Sequence, residues 1–134
     1  MTVQYAKTYV DRTCDSRDVS TIYDIVRTLD AERNLPEPFK LLVRLWQWCC
    51  STRSGVWQYY ENIPRAEFEE TANMMDRCNL GEIAARYRAG VEYWEEPEHC
   101  GDLDTWIEEN WDTIENAAMT LVDGNRDCLY PNTK

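Results

Sequence analysis

A chain of 134 residues with 25 acidic against 14 basic side chains carries a formal charge of −11, which argues against direct binding to DNA, RNA or an anionic membrane, because phosphate neutralisation needs clusters of Lys and Arg. The length fits one domain spanning 1–134, and an apolar content of 43% with six Trp and eight Tyr argues against disorder. No apolar run approaches the ~20 residues of a membrane span, and the opening MTVQYAKTYVDRTCD has no hydrophobic stretch of export type, so a cytoplasmic protein is expected.

In chain order, the pattern is helical throughout, with no convincing alternation of strand type. A short first helix is expected over about residues 2–13. Asp15, Ser16 and Asp18 offer caps for VSTIYDIVRTLDAERN, where Val19, Ile22, Ile25, Val26 and Leu29 share one face. Leu35-Pro36-Glu37-Pro38 breaks that helix. FKLLVRLWQWCCS follows, apolar except for the strip of Lys40, Arg44 and Gln47, and reads as the central buried helix. After Ser54-Gly55 come VWQYYEN and a helix whose first turn suits Pro64, ending at Asn79-Leu80-Gly81. EIAARYRAGVEYWEE runs to Pro97. One long last helix is expected from Asp102 or Asp104 to Asp123-Gly124, with Leu103, Trp106, Ile107, Trp111, Ile114, Ala118 and Leu121 on its apolar face. The fold class expected is all-α, a single compact domain of about five or six helices.

Chemistry-bearing patterns are few. Six cysteines without a C-x-x-C spacing read as reduced, mostly buried thiols rather than zinc ligands or staples. His99 and Cys100 are adjacent, a poor arrangement for a catalytic pair. Asp123-Gly124-Asn125-Arg126-Asp127 begins like a calcium loop but fails at the sixth and twelfth positions, and reads as a helix-ending turn. No catalytic residue, metal site or cofactor is expected, and the chain is not read as an enzyme.

The informative region is 90–125, which contains eleven acids and no Lys or Arg, so the remaining residues balance at 14 against 14. Solvation and helix capping would account for many of these acids. Yet Asp104, Glu108 and Asp112 are like-charge neighbours at i,i+4, a spacing that mildly destabilises a helix. With Glu115, and Glu109 beside them, they would form a row of carboxylates rising about 6 Å per step, roughly the spacing of successive phosphates. Glu92, Glu95, Glu96, Glu98 and Asp102 extend the acidic region, and Trp94 is the candidate exposed anchor, while Trp106 and Trp111 belong to the core side.

RSGVWQYYEN at 53–62 resembles the glycine-aromatic signature Asn-Gly-Gly-Phe-x-Gln-Tyr-Phe-x-Asn of a bacterial all-α family that includes a DNA-mimic protein. Gly55, Gln58, Tyr59, Tyr60 and Asn62 match, whereas Arg53, Ser54 and Val56 differ. Looser similarity extends over about residues 39 to 130. The resemblance implies an all-α fold and binding to a DNA-binding protein in place of DNA. The motif itself reads as structural, its aromatics packing a turn against the core with Gln58 and Asn62 bonding backbone.

The expectation is an acidic inhibitor that covers the basic nucleic-acid-binding surface of a partner such as a transcription factor, nucleoid protein, restriction enzyme or CRISPR-type defence effector. The alternative is an immunity-type inhibitor that blocks a toxin through a packed hot spot, and a metal-dependent enzyme comes third. Monomer and homodimer remain open.

Overall fold

Asp18 starts the first long helix: its carboxylate accepts from the Thr21 N–H at 3.2 Å and the Thr21 hydroxyl at 2.7 Å. A cap of this kind stabilises by about 1 kcal/mol. The computed structural model describes residues 3–132, among which there are eight α-helices and no strand. They are α1 (Lys7–Asp15), α2 (Val19–Arg33), α3 (Glu37–Cys50), α4 (Trp57–Asn62), α5 (Ala66–Arg77), α6 (Gly81–Tyr93), α7 (Pro97–Glu109) and α8 (Trp111–Asp123).

The all-α class agrees with the sequence reading, but eight helices exceed the five or six expected. One addition is the short α4. The other arises because the single long helix read over 102–123 is two helices, divided at Asn110 with φ −112° and ψ 23°. The Asn110 side chain donates to the Trp106 carbonyl at 2.8 Å, a local bond that competes with helix continuation. On either side the partners differ: α7 lies along α6, and α8 lies along α3. α7 also begins earlier than expected, because Pro97 occupies its first turn, where a missing N–H costs nothing. The first helix begins at Lys7, later than the sequence suggests.

α3 is the central helix, set against α2, α5 and α8. Phe39, Leu41, Leu42, Leu45, Trp46, Trp48 and Cys49 are buried on it, while Lys40, Arg44 and Gln47 form the expected half-exposed strip. The five predicted face residues of α2 are all buried. Left-handed residues follow three helices, Arg17 after α1 at φ 56°, Asn34 after α2 at φ 51° and Asn79 after α5 at φ 62°.

The motif at 53–62 builds the other half of the core. Val56, Tyr59 and Tyr60 are buried, and Asn62 donates to the Gln58 carbonyl at 2.8 Å. The Tyr60 hydroxyl accepts from Trp48 Nε1 at 2.8 Å and donates to the Tyr87 carbonyl at 3.0 Å. Tyr59 and Tyr87 hydroxyls meet at 2.7 Å. Burial holds all three phenols above their ordinary pKa, so they stay neutral donors. Gly90 on α6 is what lets Tyr60 fit, since a Cβ there would lie 2.0 Å from the Tyr60 hydroxyl oxygen. Gly55 sits at φ +107°, a left-handed turn that admits glycine.

The two ends of the described chain are tied together. Arg126 reaches Asp15 at 2.9 Å, Asp123 at 3.2 Å and Asp11 at 3.4 Å. The Tyr130 hydroxyl donates to Asp11 at 2.6 Å, and Arg33 donates to the Tyr130 carbonyl at 2.8 Å. All six cysteines are free thiols, of which Cys14, Cys49 and Cys100 are buried. Among the described residues no helix is long and apolar enough to cross a membrane.

Candidate partner-binding surface

The acidic third occupies the end of α6, the α6–α7 turn, and the outer faces of α7 and α8. Glu92 lies in the last turn of α6, Trp94 caps it, and Glu95 and Glu96 form the turn. Glu98 sits in the first turn of α7, where the helix dipole favours a carboxylate. Glu92, Glu95, Glu96, Glu98, Asp102, Glu108, Glu109 and Asp112 are exposed, and Glu115 is half-buried.

Asp104 behaves differently from the rest. Its carboxylate accepts from the Val56 N–H at 2.8 Å and so secures the start of α4. Burial raises its pKa, the bond from Val56 opposes that rise, and the charge on Glu108 adds to it. The row 104–108–112–115 therefore does not exist as one helix face: Asp104 serves the fold, and the break at Asn110 separates the remaining members. The phase of α7 supplies a different row. At 100° per residue, Glu98, Asp102, Thr105 and Glu109 fall within about 60° of one another and span ~16 Å, and all four are exposed.

Among the described residues, only two of the eleven carboxylates in 90–125 have an ion-pair partner: Asp123 pairs with Arg126, and Glu96 lies 3.7 Å from His99. Of the fourteen acids elsewhere, Asp11, Asp15, Asp30, Glu37, Glu67 and Asp76 are held directly by Lys or Arg, and all fourteen are balanced in sum by the fourteen bases, none of which lies within 90–125. The net negative charge therefore comes from the end of α6, the α6–α7 turn, α7 and α8.

The tryptophans of the acidic region do not divide as the sequence suggests, with Trp94 exposed and Trp106 and Trp111 in the core. Trp94, Trp106 and Trp111 are all half-buried. Arg86 covers Trp106 at 5.2 Å, and Trp46 packs on Trp111 at 5.3 Å. Trp57, which the sequence places among packing aromatics, is 41% exposed and joins Trp94, Glu95, Pro97 and Cys100 around a groove of about 500 Å3. At 100° per residue the buried Val56, Tyr59 and Tyr60 centre about 100° away from Trp57, which was the signal available for its outward position. His99 stacks on Tyr93 at 4.8 Å while Cys100 points into the protein, so the two neighbours face apart.

No protein-family model, curated protein or solved structure matches the chain. Among the described residues no three His, Cys, Asp or Glu side chains converge to hold a metal ion. What the surface offers is a field of fixed negative charge beside an apolar groove, suited to a cationic macromolecular face.

Proposed function

We propose that the chain is a non-catalytic interaction protein whose acidic helices dock on the basic, nucleic-acid-binding surface of a partner protein and compete there with nucleic acid. The observation that carries this reading is the set of exposed carboxylates on α7 and the α6–α7 turn that no Lys or Arg pairs, in a chain whose other fourteen acids are matched by fourteen bases. Keeping like charges together costs a helix about 0.2–0.5 kcal/mol per close pair. A basic partner offsets that cost by relieving the repulsion and releasing counterions, so affinity falls steeply with salt. The motif resemblance at 53–62 supports the same class of function, a DNA mimic that blocks a DNA-binding protein.

The test is capture of partners from a cell lysate by the wild-type chain and by a variant carrying Glu98→Gln, Asp102→Asn and Glu109→Gln. The reading requires DNA-binding proteins that competitor DNA displaces and that the variant loses. A partner indifferent to DNA, salt and the three substitutions defeats it. Such a partner would instead favour the toxin-inhibitor alternative, for which the exposed Trp57 beside Trp94 provides a packed anchor.

A further inference from the structure

Nine aromatic side chains are exposed or half-buried, and the chain covers nearly all of them itself. Lys7 lies over Tyr130 at 4.7 Å, Arg12 over Tyr9 at 5.8 Å, Arg27 over Tyr23 at 5.5 Å and Arg86 over Trp106 at 5.2 Å. Tyr5 stacks on Tyr9 and His99 on Tyr93, and Trp46 packs at a tilt against Trp111. Of these nine, Trp57 and Trp94 alone have neither a paired ring nor a cation, and they line the same groove. Glu95 is on its wall, and Glu96 and Glu98 flank it in sequence without a Lys or Arg partner.

We infer that the groove between Trp57 and Trp94 receives an arginine side chain of the partner. Its aliphatic stem would lie along Pro97, its guanidinium plane against an indole, and its charge toward Glu95. Arginine suits the site better than lysine because its planar, weakly hydrated cation stacks on aromatic faces and bonds a carboxylate at the same time. The exposure of Trp57 and the buried Cys100 thiol give the groove an apolar floor, so an occupant must bring the positive charge that the rim lacks. The inference rests on the preceding reading for the nature of the partner: arginines are the residues a nucleic-acid-binding surface presents to phosphates.

The experiment is NMR titration of the 15N-labelled full chain with an arginine-rich peptide and with its citrulline counterpart, which keeps the shape and removes the charge. The indole N–H signals of Trp57 and Trp94 should shift saturably with the arginine peptide while those of Trp106 and Trp111 stay in place. Citrulline should bind about tenfold more weakly, as should the arginine peptide to Trp57→Leu. Trp57 lies at the surface, 41% exposed, so the variant should stay folded, and unchanged amide signals outside the groove confirm that the loss is local. Shifts confined to the amides around Glu98, Asp102 and Glu109, with both indoles still, overturn the groove but leave the acidic-surface reading standing. Equal binding of the citrulline peptide overturns it too. Indole shifts of the expected kind, in a chain that captures no DNA-displaceable partner, would uphold the groove and sink the proposed function instead.

Discussion

Replacing Gly90 by Ala should destabilise the protein, although alanine is the better helix former. The new Cβ would sit 2.0 Å from the Tyr60 hydroxyl oxygen and 2.3 Å from its Cζ, so the ring must retreat about 1.4 Å to reach ordinary contact. That retreat stretches the bonds from Trp48 at 2.8 Å and to the Tyr87 carbonyl at 3.0 Å beyond hydrogen-bond range. Overpacking costs about 1–3 kcal/mol and an unsatisfied buried indole N–H a further ~1–3 kcal/mol, against roughly 1 kcal/mol gained from helix propensity. The net loss is about 1–5 kcal/mol, whose midpoint corresponds to about 10 °C in Tm for a domain of this size. Gly101 is the matched control: it is also helical, and a Cβ there meets nothing within 4 Å. Gly101→Ala should therefore raise Tm by about 3 °C. Thermal unfolding followed by circular dichroism reads both. A Gly90→Ala protein that melts at or above wild type would show that Tyr60 does not rest on α6 as described.

Asp104→Asn keeps an acceptor for the Val56 N–H and removes a carboxylate whose folded pKa lies above its usual 3.8. A raised carboxylate favours the protonated native state, so stability is present below the unfolded pKa and is lost as pH rises through the folded one. The variant should equal or exceed wild type at pH 7, with the difference closing below pH ~4; clear destabilisation at pH 7 would contradict this. Tyr130→Phe should raise the Asp11 pKa, because the Tyr130 hydroxyl is the main cause of its depression. The stability that Asp11 contributes would then be lost at a higher pH on acidification, which carboxyl 13C titration and acid unfolding would show together. Glu98→Gln, Asp102→Asn and Glu109→Gln together should move Tm by less than about 3 °C, since relief of repulsion nearly cancels the lost dipole interaction of Glu98. A larger fall would mean those acids serve the fold, as Asp104 does.

Local chemistry was legible wherever one residue decided it. The face of α2, the apolar girth of α3 with its strip of Lys40, Arg44 and Gln47, and the stop at Asn79 follow from periodicity and caps that need no tertiary partner. The division at Asn110 was not legible, because Leu103, Trp106, Ile107, Trp111 and Ile114 continue one helical phase across it. What separates the two helices is that α8 finds α3 while α7 finds α6. Asp104 was misread for the same reason: its partner Val56 is 48 residues away, and a wheel registers only neighbours on the helix. Placement of the acidic region at the end of α6 and on α7 and α8 was readable as composition. The row within it was not, since it depends on where α7 starts and stops.

The knot of Arg126, Asp11, Asp15 and Tyr130 also bears on how the chain matures. During synthesis α1 leaves the ribosome before the other described helices, yet the guanidinium that gathers its two aspartates lies 111 residues downstream of Asp15. At usual elongation rates it waits on the order of ten seconds for that partner. Completion of the fold is therefore coupled to arrival of the last described segment, and nascent chains stalled before Arg126 should leave α1 open to proteases while α2 and α3 already pair.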